Sequence, residues 1–317
     1  MKGVKETFFV VNPVAGRGKL KQLWNEIKDP IKKKLGKTHF EFTQGPEDAS
    51  RLTREALFAG YSTIIAVGGD GTLNGCLNGF LEDDKPINPK ASLGIFPMGR
   101  GSDFARSLGL SRKSAEALQQ FQRLKIREID IGKVTCVDDI GKKGKKKNRY
   151  FINVASAGIV GNVVNWANRA PSFLGADGAY LYSIIRGILE FRPQVISYDC
   201  QGIKKEEKIL MMIIANSRYF GAGIPIAPKA ICDDGLFDVM VIRSMGLFSM
   251  FRHLPKLYSG NHLRMPQVEL LRTRHIEIHP LRKEKNLFVE ADGDTMGELP
   301  ATFEILPKAV RFLVPLI

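Results

Sequence analysis

A glycine-rich segment at residues 68–74, GGDGTLN, combines residue types that favour phosphate binding. The apolar, β-branched run 63–67 before it is typical of a buried parallel strand, and apolar residues at 73, 77, 80 and 81 have helical spacing. Glycines let the backbone approach a ligand closely, and amides at a helix start attract anions. Asp70 suits a cation or a sugar hydroxyl rather than an anion. Taken alone, the segment is equally consistent with a tight turn and a helix capped by Thr72.

Two further glycine-containing segments follow predicted strands in the same way. Segment 12–19, NPVAGRGK, follows the strand-like run 7–11, and segment 98–106, MGRGSDFAR, follows the run 93–97. The first is not a Walker A loop, because Leu20 stands where that pattern requires Ser or Thr. Strands that alternate with helices predict a parallel sheet, and ligands of such sheets lie beyond the carboxyl ends of the strands. The three segments are therefore expected to face one crevice.

Composition narrows the class of protein. The 317 residues include 47 Lys and Arg against 33 Asp and Glu, a net charge of +14 that favours an anionic partner. No aromatic and basic platform accompanies the charge, so we expect a membrane surface or a phosphorylated ligand and no nucleic acid. Four cysteines without a Cys-x-x-Cys pattern are typical of reduced thiols in a cytosolic protein. We expect no signal peptide and no transmembrane segment, so membrane contact would be peripheral.

The pattern changes after about Lys125, where strand-like runs follow one another. This change predicts an α/β first domain at 1–126 and a mainly antiparallel, β-rich second domain at 127–302. Two helices are predicted within the second domain, at about 176–191 and 247–259. The latter mixes apolar and basic residues, a composition that suits an interface and that core packing explains as well.

Two acidic segments are candidate sites. In segment 232–238, CDDGLFD, an Asp-Gly turn is the favoured interpretation, although Asp234 with nearby carbonyls could bind a hard cation. In segment 287–294, LFVEADGD, Glu290 and Asp292 share one face of a strand and Asp294 follows a glycine. Such close like charges require a cation, a base role or solvent, and an exposed hairpin is an equal alternative. The five histidines have no spacing that predicts a zinc site.

The order of these segments resembles that of the diacylglycerol kinase catalytic-domain family, bacterial lipid kinases related to sphingosine and ceramide kinases. Segment 12–16 resembles the first phosphate loop of the family, 68–74 its signature, 97–106 its third loop and 292–294 its Asp-Gly-Glu motif. The resemblance covers nearly the whole chain. It implies a Rossmann-like parallel sheet with helices, a β-rich second domain and an active-site cleft between them, with 303–317 as a candidate to pack back on the first domain.

The resemblance also implies a reaction and its residues. It implies an ATP- and Mg²⁺-dependent kinase that acts from the cytosol on a lipid hydroxyl, such as that of diacylglycerol, at an anionic membrane surface. The base is implied at Asp292 or Asp294, and a structural Mg²⁺ at Asp234 and the backbone carbonyls of Ile231 and Leu236. Nucleotide contacts are implied for Asn12, Pro13, Gly16, Thr43, Gly68, Gly69, Asp70, Gly71, Thr72, Asn74 and Arg100.

Several positions depart from the family pattern. Gly75 replaces a Glu, Arg100 and Ser102 replace a Thr and an Asn, and Asp294 replaces the Glu of Asp-Gly-Glu. Arg100 could contact phosphate or block the usual ATP pose. Two alternatives therefore stay open: a kinase of a soluble hydroxyl substrate such as NAD, and a non-catalytic descendant that binds nucleotide or lipid. A homodimer is also compatible with the sequence.

Overall fold

A computed structural model describes residues 5–16, 18, 20–35, 37–99, 101–121, 123–137, 146–167, 169–171, 175–221, 223–281 and 287–316. The predicted nucleotide contact Arg100 lies outside these residues. Within them, no helix is both long enough and apolar enough to cross a membrane.

Strands and helices alternate in the first part of the chain. Apolar, β-branched runs form the strands, and segments with apolar residues three and four apart form the helices. In chain order the elements are β1 (Lys5–Val11), α1 (Leu20–Leu35), β2 (Thr38–Phe42), α2 (Asp48–Phe58), β3 (Tyr61–Gly68), α3 (Asp70–Phe80), β4 (Leu81–Glu82), β5 (Lys85–Pro86), β6 (Ser92–Pro97), α4 (Asp103–Ser107) and α5 (Ser114–Phe121).

Four of these strands form a parallel arrangement in the order β2, β1, β3 and β6. Successive residues of a strand point to opposite faces of a sheet, so each face has its own apolar core. Phe8 and Ile64 pack against α2 and α3, whereas Phe9 and Ile65 pack with residues of α1 and α5. Helices on both faces bury β1 and β3 from two sides, which explains their nearly continuous apolar sequences.

The rest of the chain is mainly antiparallel sheet with helices inserted. Its strands pair with one another in antiparallel ladders. In chain order the elements are β7 (Leu124–Val137), β8 (Lys146–Phe151), β9 (Val154–Gly158), α6 (Ile159–Ala167), α7 (Gly175–Glu190), β10 (Gln194–Cys200), β11 (Ile203–Ala215), β12 (Phe237–Arg243), α8 (Leu247–Tyr258), a 3₁₀ helix (Asn261–Arg264), β13 (Val268–Thr273), β14 (His275–Pro280), β15 (Phe288–Ala291) and β16 (Asp294–Pro315).

Strand β16 connects the two parts of the molecule. It pairs in antiparallel fashion with β7, β14 and β15, and its Phe312 pairs in parallel with Leu93 of β6. One continuous sheet therefore runs β13-β12-β11-β10-β14-β16-β6-β3-β1-β2. The end of β16 shares the core of the first part, where Phe312 packs edge-on against Phe104 at 5.3 Å between ring centroids. The domain limits at residues 126 and 302 stay predictions.

Candidate active site

The three glycine segments meet beyond the carboxyl ends of β1, β3 and β6. A Cβ on Gly99 would lie 2.3 Å from the Cα of Gly69, so only glycine allows these two loops to touch. The N–H groups of Met98 and Gly99 donate to the Gly68 carbonyl at 2.8 and 3.0 Å. Gly16 completes the arrangement with a φ of +62°, and a Cβ there would lie 3.2 Å from the Met98 carbonyl oxygen. The segments therefore converge, as the sequence predicts.

Asn12 connects the first loop to the second. Its side-chain amide donates to the Thr72 hydroxyl at 3.1 Å, and its side-chain oxygen accepts from the Val14 N–H at 3.1 Å. Thr43 comes to the same edge because its N–H donates to the carbonyl of Val11 at 2.9 Å. Two predicted nucleotide contacts from separate segments are thus held beside the glycine loops.

Asp70 connects the second loop to the third. Its two carboxylate oxygens accept from the N–H groups of Asp103 and Phe104 at 2.9 and 3.2 Å, at the start of α4. Burial raises the pKa of the Asp70 carboxyl, and these hydrogen bonds oppose that rise. The carboxylate therefore satisfies helix amides in this structure. The suggested role toward a cation or a sugar hydroxyl stays a prediction.

A cleft of about 680 Å³ opens beside the loops, a volume typical of small-molecule sites. Gly75 also lies on its wall, and Arg149 and Asp294 reach it from the second part of the chain. Gly68, Asp70 and Asn74 do not line it. The predicted nucleotide contacts on its wall are Asn12, Pro13, Gly16, Thr43, Gly69, Gly71 and Thr72.

The carboxylate of Asp292 is buried and surrounded by donors. The side-chain amide of Asn74 and the backbone N–H of Ile152 donate to one oxygen, each at 2.8 Å. The N–H groups of Asn153 and Val154 donate to the other oxygen at 3.0 and 3.1 Å. Burial raises the pKa of the Asp292 carboxyl to about 6, and these hydrogen bonds limit the rise. Asp292 therefore joins α3 to the segment between β8 and β9.

Asp294 differs from Asp292 in its exposure. Its side chain is 60% exposed on the cleft wall, and the Arg149 guanidinium lies 3.0 Å from one of its oxygens. Arg149 also donates to the side-chain oxygen of Asn74 at 2.9 Å. A single arginine thus links Asn74, in the first half of α3, to Asp294. Sequence reasoning did not identify Arg149 as a site residue, because its partners are 75 and 145 positions away.

Glu290 is a second buried acid that sequence reasoning did not assign to the site. The Ser156 hydroxyl donates to one oxygen at 2.9 Å, and the Gly293 N–H donates to the other. Burial raises the pKa of the Glu290 carboxyl to about 8, with a further contribution from the charges of Asp292 and Asp294. Its shared strand face with Asp292 was the available signal.

The residues implied for a structural Mg²⁺ are arranged differently from a cation site. One oxygen of Asp234 accepts from the Leu236 N–H at 3.0 Å, and the other is ion-paired with Arg272. Arg272 also contacts Asp238, with 3.3 Å between Nε and the carboxylate oxygen. Within the described ranges, no three His, Cys, Asp or Glu side chains gather to hold a metal. Because a guanidinium already neutralises Asp234, this segment and the carbonyls of Ile231 and Leu236 do not fit Mg²⁺ as they stand.

A separate apolar cavity of about 130 Å³ lies in the second part of the chain. Strand β11 and helices α6, α7 and α8 contribute to its lining. Its surface is almost entirely hydrocarbon, which suits an aliphatic chain. Residues from these elements that line it include Val160, Val163, Ile184, Leu210, Met250 and Leu254.

Comparison with known proteins assigns both parts of the chain. Residues 6–134 match the diacylglycerol kinase catalytic domain, and residues 153–314 match the YegS C-terminal NAD kinase beta sandwich-like domain. A diacylglycerol kinase of Bacillus subtilis (strain 168) is 25% identical over 98% of this chain and 97% of its own. One of Staphylococcus haemolyticus (strain JCSC1435) is 29% identical over 96% of this chain and 87% of its own. A Bacillus anthracis (strain Sterne) structure described as a candidate diacylglycerol kinase superposes with a TM-score of 0.75, at 25% identity, covering 99% of this chain and 98% of that chain.

These matches indicate that the chain is a kinase, a phosphotransferase with an alcohol group as acceptor. The chain belongs to the diacylglycerol kinase catalytic-domain family.

Proposed function

We propose that the chain is an ATP- and Mg²⁺-dependent lipid kinase that phosphorylates a hydroxyl of a membrane lipid such as diacylglycerol. The observation that carries this proposal is the cleft, which brings three glycine loops and the carboxylate of Asp294 to one space. The apolar cavity in the second part of the chain supports a substrate with a hydrocarbon tail. The names of the relatives support diacylglycerol as the class of acceptor.

The glycine loops would hold the phosphates of ATP. Backbone amides can approach phosphate oxygens where Gly16, Gly69 and Gly99 lack side chains, and the start of α3 adds its dipole. Phosphoryl transfer depends mainly on positioning and on neutralising charge. Mg²⁺ bound to ATP supplies part of that neutralisation when the nucleotide is present. No step is assigned to the segment around Asp234, because Arg272 already neutralises it.

We assign Asp294 as the general base. An ionised carboxylate offers about four acceptor positions, and Asp292 already accepts four N–H groups. No position remains on Asp292 to accept a hydroxyl proton, so it positions Asn74 and the backbone of 152–154. Asp294 lies on the cleft wall, and Arg149 orients one of its oxygens. Its other oxygen accepts no hydrogen bond from the described residues, and it can receive the proton.

The test is transfer of labelled γ-phosphate from ATP, with Mg²⁺, to a total lipid extract in mixed micelles. Asp294→Asn is expected to lower transfer by roughly 10²–10⁴-fold, the usual contribution of a general base. Its urea midpoint should stay near that of the parent, because an exposed ion pair contributes only about 0–1 kcal/mol. The matched control is Glu304→Gln, a partly exposed acid of the same strand that lies outside the cleft-lining residues.

Asp292→Asn separates the two assignments. Whichever oxygen becomes the amide nitrogen, two N–H groups lose their acceptor, which costs about 2–6 kcal/mol at 1–3 kcal/mol each. Lost activity in Asp292→Asn should therefore accompany a lower unfolding midpoint. A lipid product formed at parental rate by Asp294→Asn would refute the assignment of the base. Nucleotide binding without transfer to any lipid would favour a non-catalytic protein that binds nucleotide or lipid. Transfer to a soluble hydroxyl substrate alone would favour a kinase of a soluble substrate such as NAD.

A further inference from the structure

Helix α8 exposes apolar side chains on the side that faces away from the core. Leu247, Phe248, Phe251 and Tyr258 are 50%, 81%, 38% and 59% exposed. Together with the exposed Pro255, they fall on one side of the helix, because their spacings are close to whole turns. Contiguous exposed apolar surface of this kind marks a site of interaction.

Two cations border this apolar face. Arg252 and Lys256 are exposed along one edge of it, and neither forms an ion pair within the part of the chain that the structure describes. The stretch 239–268, which contains α8, has four Arg or Lys residues and no Asp or Glu. An apolar face edged by cations matches the boundary of an anionic bilayer, where acyl chains lie beside phosphate groups. A second copy of the same face would instead bring like charges together.

The opposite side of α8 faces the apolar cavity. Met250, Leu254 and Leu257 point inward and line it, so the helix separates the cavity from the outside. A helix with its side chains is about 10–12 Å across. A bilayer seated on the outer face of α8 would therefore place acyl chains about one helix diameter from the cavity. Helix α8 therefore carries the exposed apolar face on its outer side and forms one wall of the cavity on its inner side.

We infer that α8 is the surface by which the protein docks on an anionic lipid bilayer. Leu247, Phe248 and Phe251 enter the interfacial region, and Arg252 and Lys256 contact the anionic head groups. This assignment rests on the proposed function, because the bilayer is then the source of the lipid substrate.

The test measures partition of the full-length protein onto sedimented vesicles of equal phosphatidylglycerol and phosphatidylcholine. The double variant Phe248→Ser with Phe251→Ser is expected to lose at least tenfold in partition, since it removes most of the buried apolar area. The double variant Arg252→Gln with Lys256→Gln is expected to lose about thirtyfold, at about 1 kcal/mol for each cation. On vesicles of phosphatidylcholine alone, the charge variant should bind like the parent.

Matched substitutions at other exposed positions control for general effects on charge and solubility. Phe58→Ser removes an aromatic side chain that is 67% exposed on α2, and Lys32→Gln with Lys33→Gln removes two exposed cations on α1. Both controls should retain most of the parental partition. Equal losses in the controls and in the α8 variants would overturn the assignment, as would salt-independent binding to the anionic vesicles.

Two more measurements keep the outcomes distinct. If the parent sediments as a dimer, and the phenylalanine variant as a monomer with unchanged vesicle binding, then α8 is a self-association surface and the inference fails. Transfer of phosphate to a short-chain, monomeric diacylglycerol tests the proposed function without a bilayer. Absence of that transfer by the parent would refute diacylglycerol as the acceptor, whereas vesicle binding that the α8 substitutions leave unchanged would refute only the docking surface.

Discussion

The buried acid Glu290 should make the stability of this protein depend on pH. It is fully enclosed in β15, with the Ser156 hydroxyl and the Gly293 N–H as its hydrogen-bond donors. Glu290→Gln replaces it with a neutral group of the same shape. The glutamine oxygen can accept from Gly293, and its amide can donate to the Ser156 hydroxyl, because a hydroxyl both donates and accepts. The substitution therefore removes a titration with little change in packing.

The sign and size of this effect of pH on the unfolding free energy follow from the pKa of Glu290. Burial raises it from 4.5 to about 8 in the folded protein. The stabilisation from this group is thus complete below pH 4.5 and is lost as the pH rises through 8. At about 1.36 kcal/mol for each pH unit, the loss is at most about 5 kcal/mol. Glu290→Gln has no such loss, so its advantage over the parent should grow between pH 5 and pH 8 and then level off.

The assay is urea unfolding of both proteins at one-unit steps from pH 5 to pH 9. The difference in unfolding free energy between Glu290→Gln and the parent cancels the titration of other groups that behave alike in both. We expect that difference to rise by up to about 1.4 kcal/mol per pH unit. Glu26→Gln, which removes an exposed acid on α1, is the matched control for loss of a carboxyl group. A difference for Glu290→Gln that does not change with pH would refute the raised pKa.

Three further predictions concern packing, capping and metal. Gly79→Ala should lower the unfolding free energy, measured in urea, by about 1–3 kcal/mol, because its Cβ would lie 2.1 Å from a backbone oxygen of α2. The control Gly71→Ala should leave the unfolding free energy unchanged, because the space around Gly71 is open. Asp70→Ala should cost about 1–2 kcal/mol in the same assay, because it removes the acceptor for the first amides of α4. A chelator should leave the melting temperature of the nucleotide-free protein unchanged, because Arg272 neutralises Asp234; a clear fall would show a bound structural cation.

Local sequence patterns predicted individual strands and helices in both parts of the chain. The β-branched run at 63–67 lies inside β3, and the predicted helix at 176–191 corresponds to α7 at Gly175–Glu190. Helix α6 was not predicted, because glycine and asparagine interrupt its apolar residues and suggest a turn. The convergence of the loops was predictable for a different reason: every parallel strand of a sheet presents its carboxyl end at the same edge.

Contacts between distant residues could not be predicted from local patterns. The strand β16 runs through the predicted domain limit at 302 and carries the sheet from one part of the molecule into the other. The four donors around Asp292 come from α3, from the segment between β8 and β9, and from the first residue of β9, all more than 130 positions away. Only these contacts show that the Asp292 carboxylate already accepts four hydrogen bonds, whereas Asp294 has an oxygen that accepts none from the described residues.

The departure at Gly75 has a packing explanation. A Cβ on Gly75 would lie 2.7 Å from the Cβ of Ala49. A Cβ on Gly79, one turn later, would lie 2.1 Å from the carbonyl oxygen of Ser50. Helices α2 and α3 therefore cross at small residues on both sides. The Glu that is usual at position 75 in the family would require α2 to move away from α3, and the cleft-lining segment 43–47, which leads into α2, would move with it. Gly75 is thus one part of a closer helix crossing that sets the position of the cleft wall, and a changed wall is a different matter from a lost catalytic group. This favours an altered nucleotide pose over loss of activity.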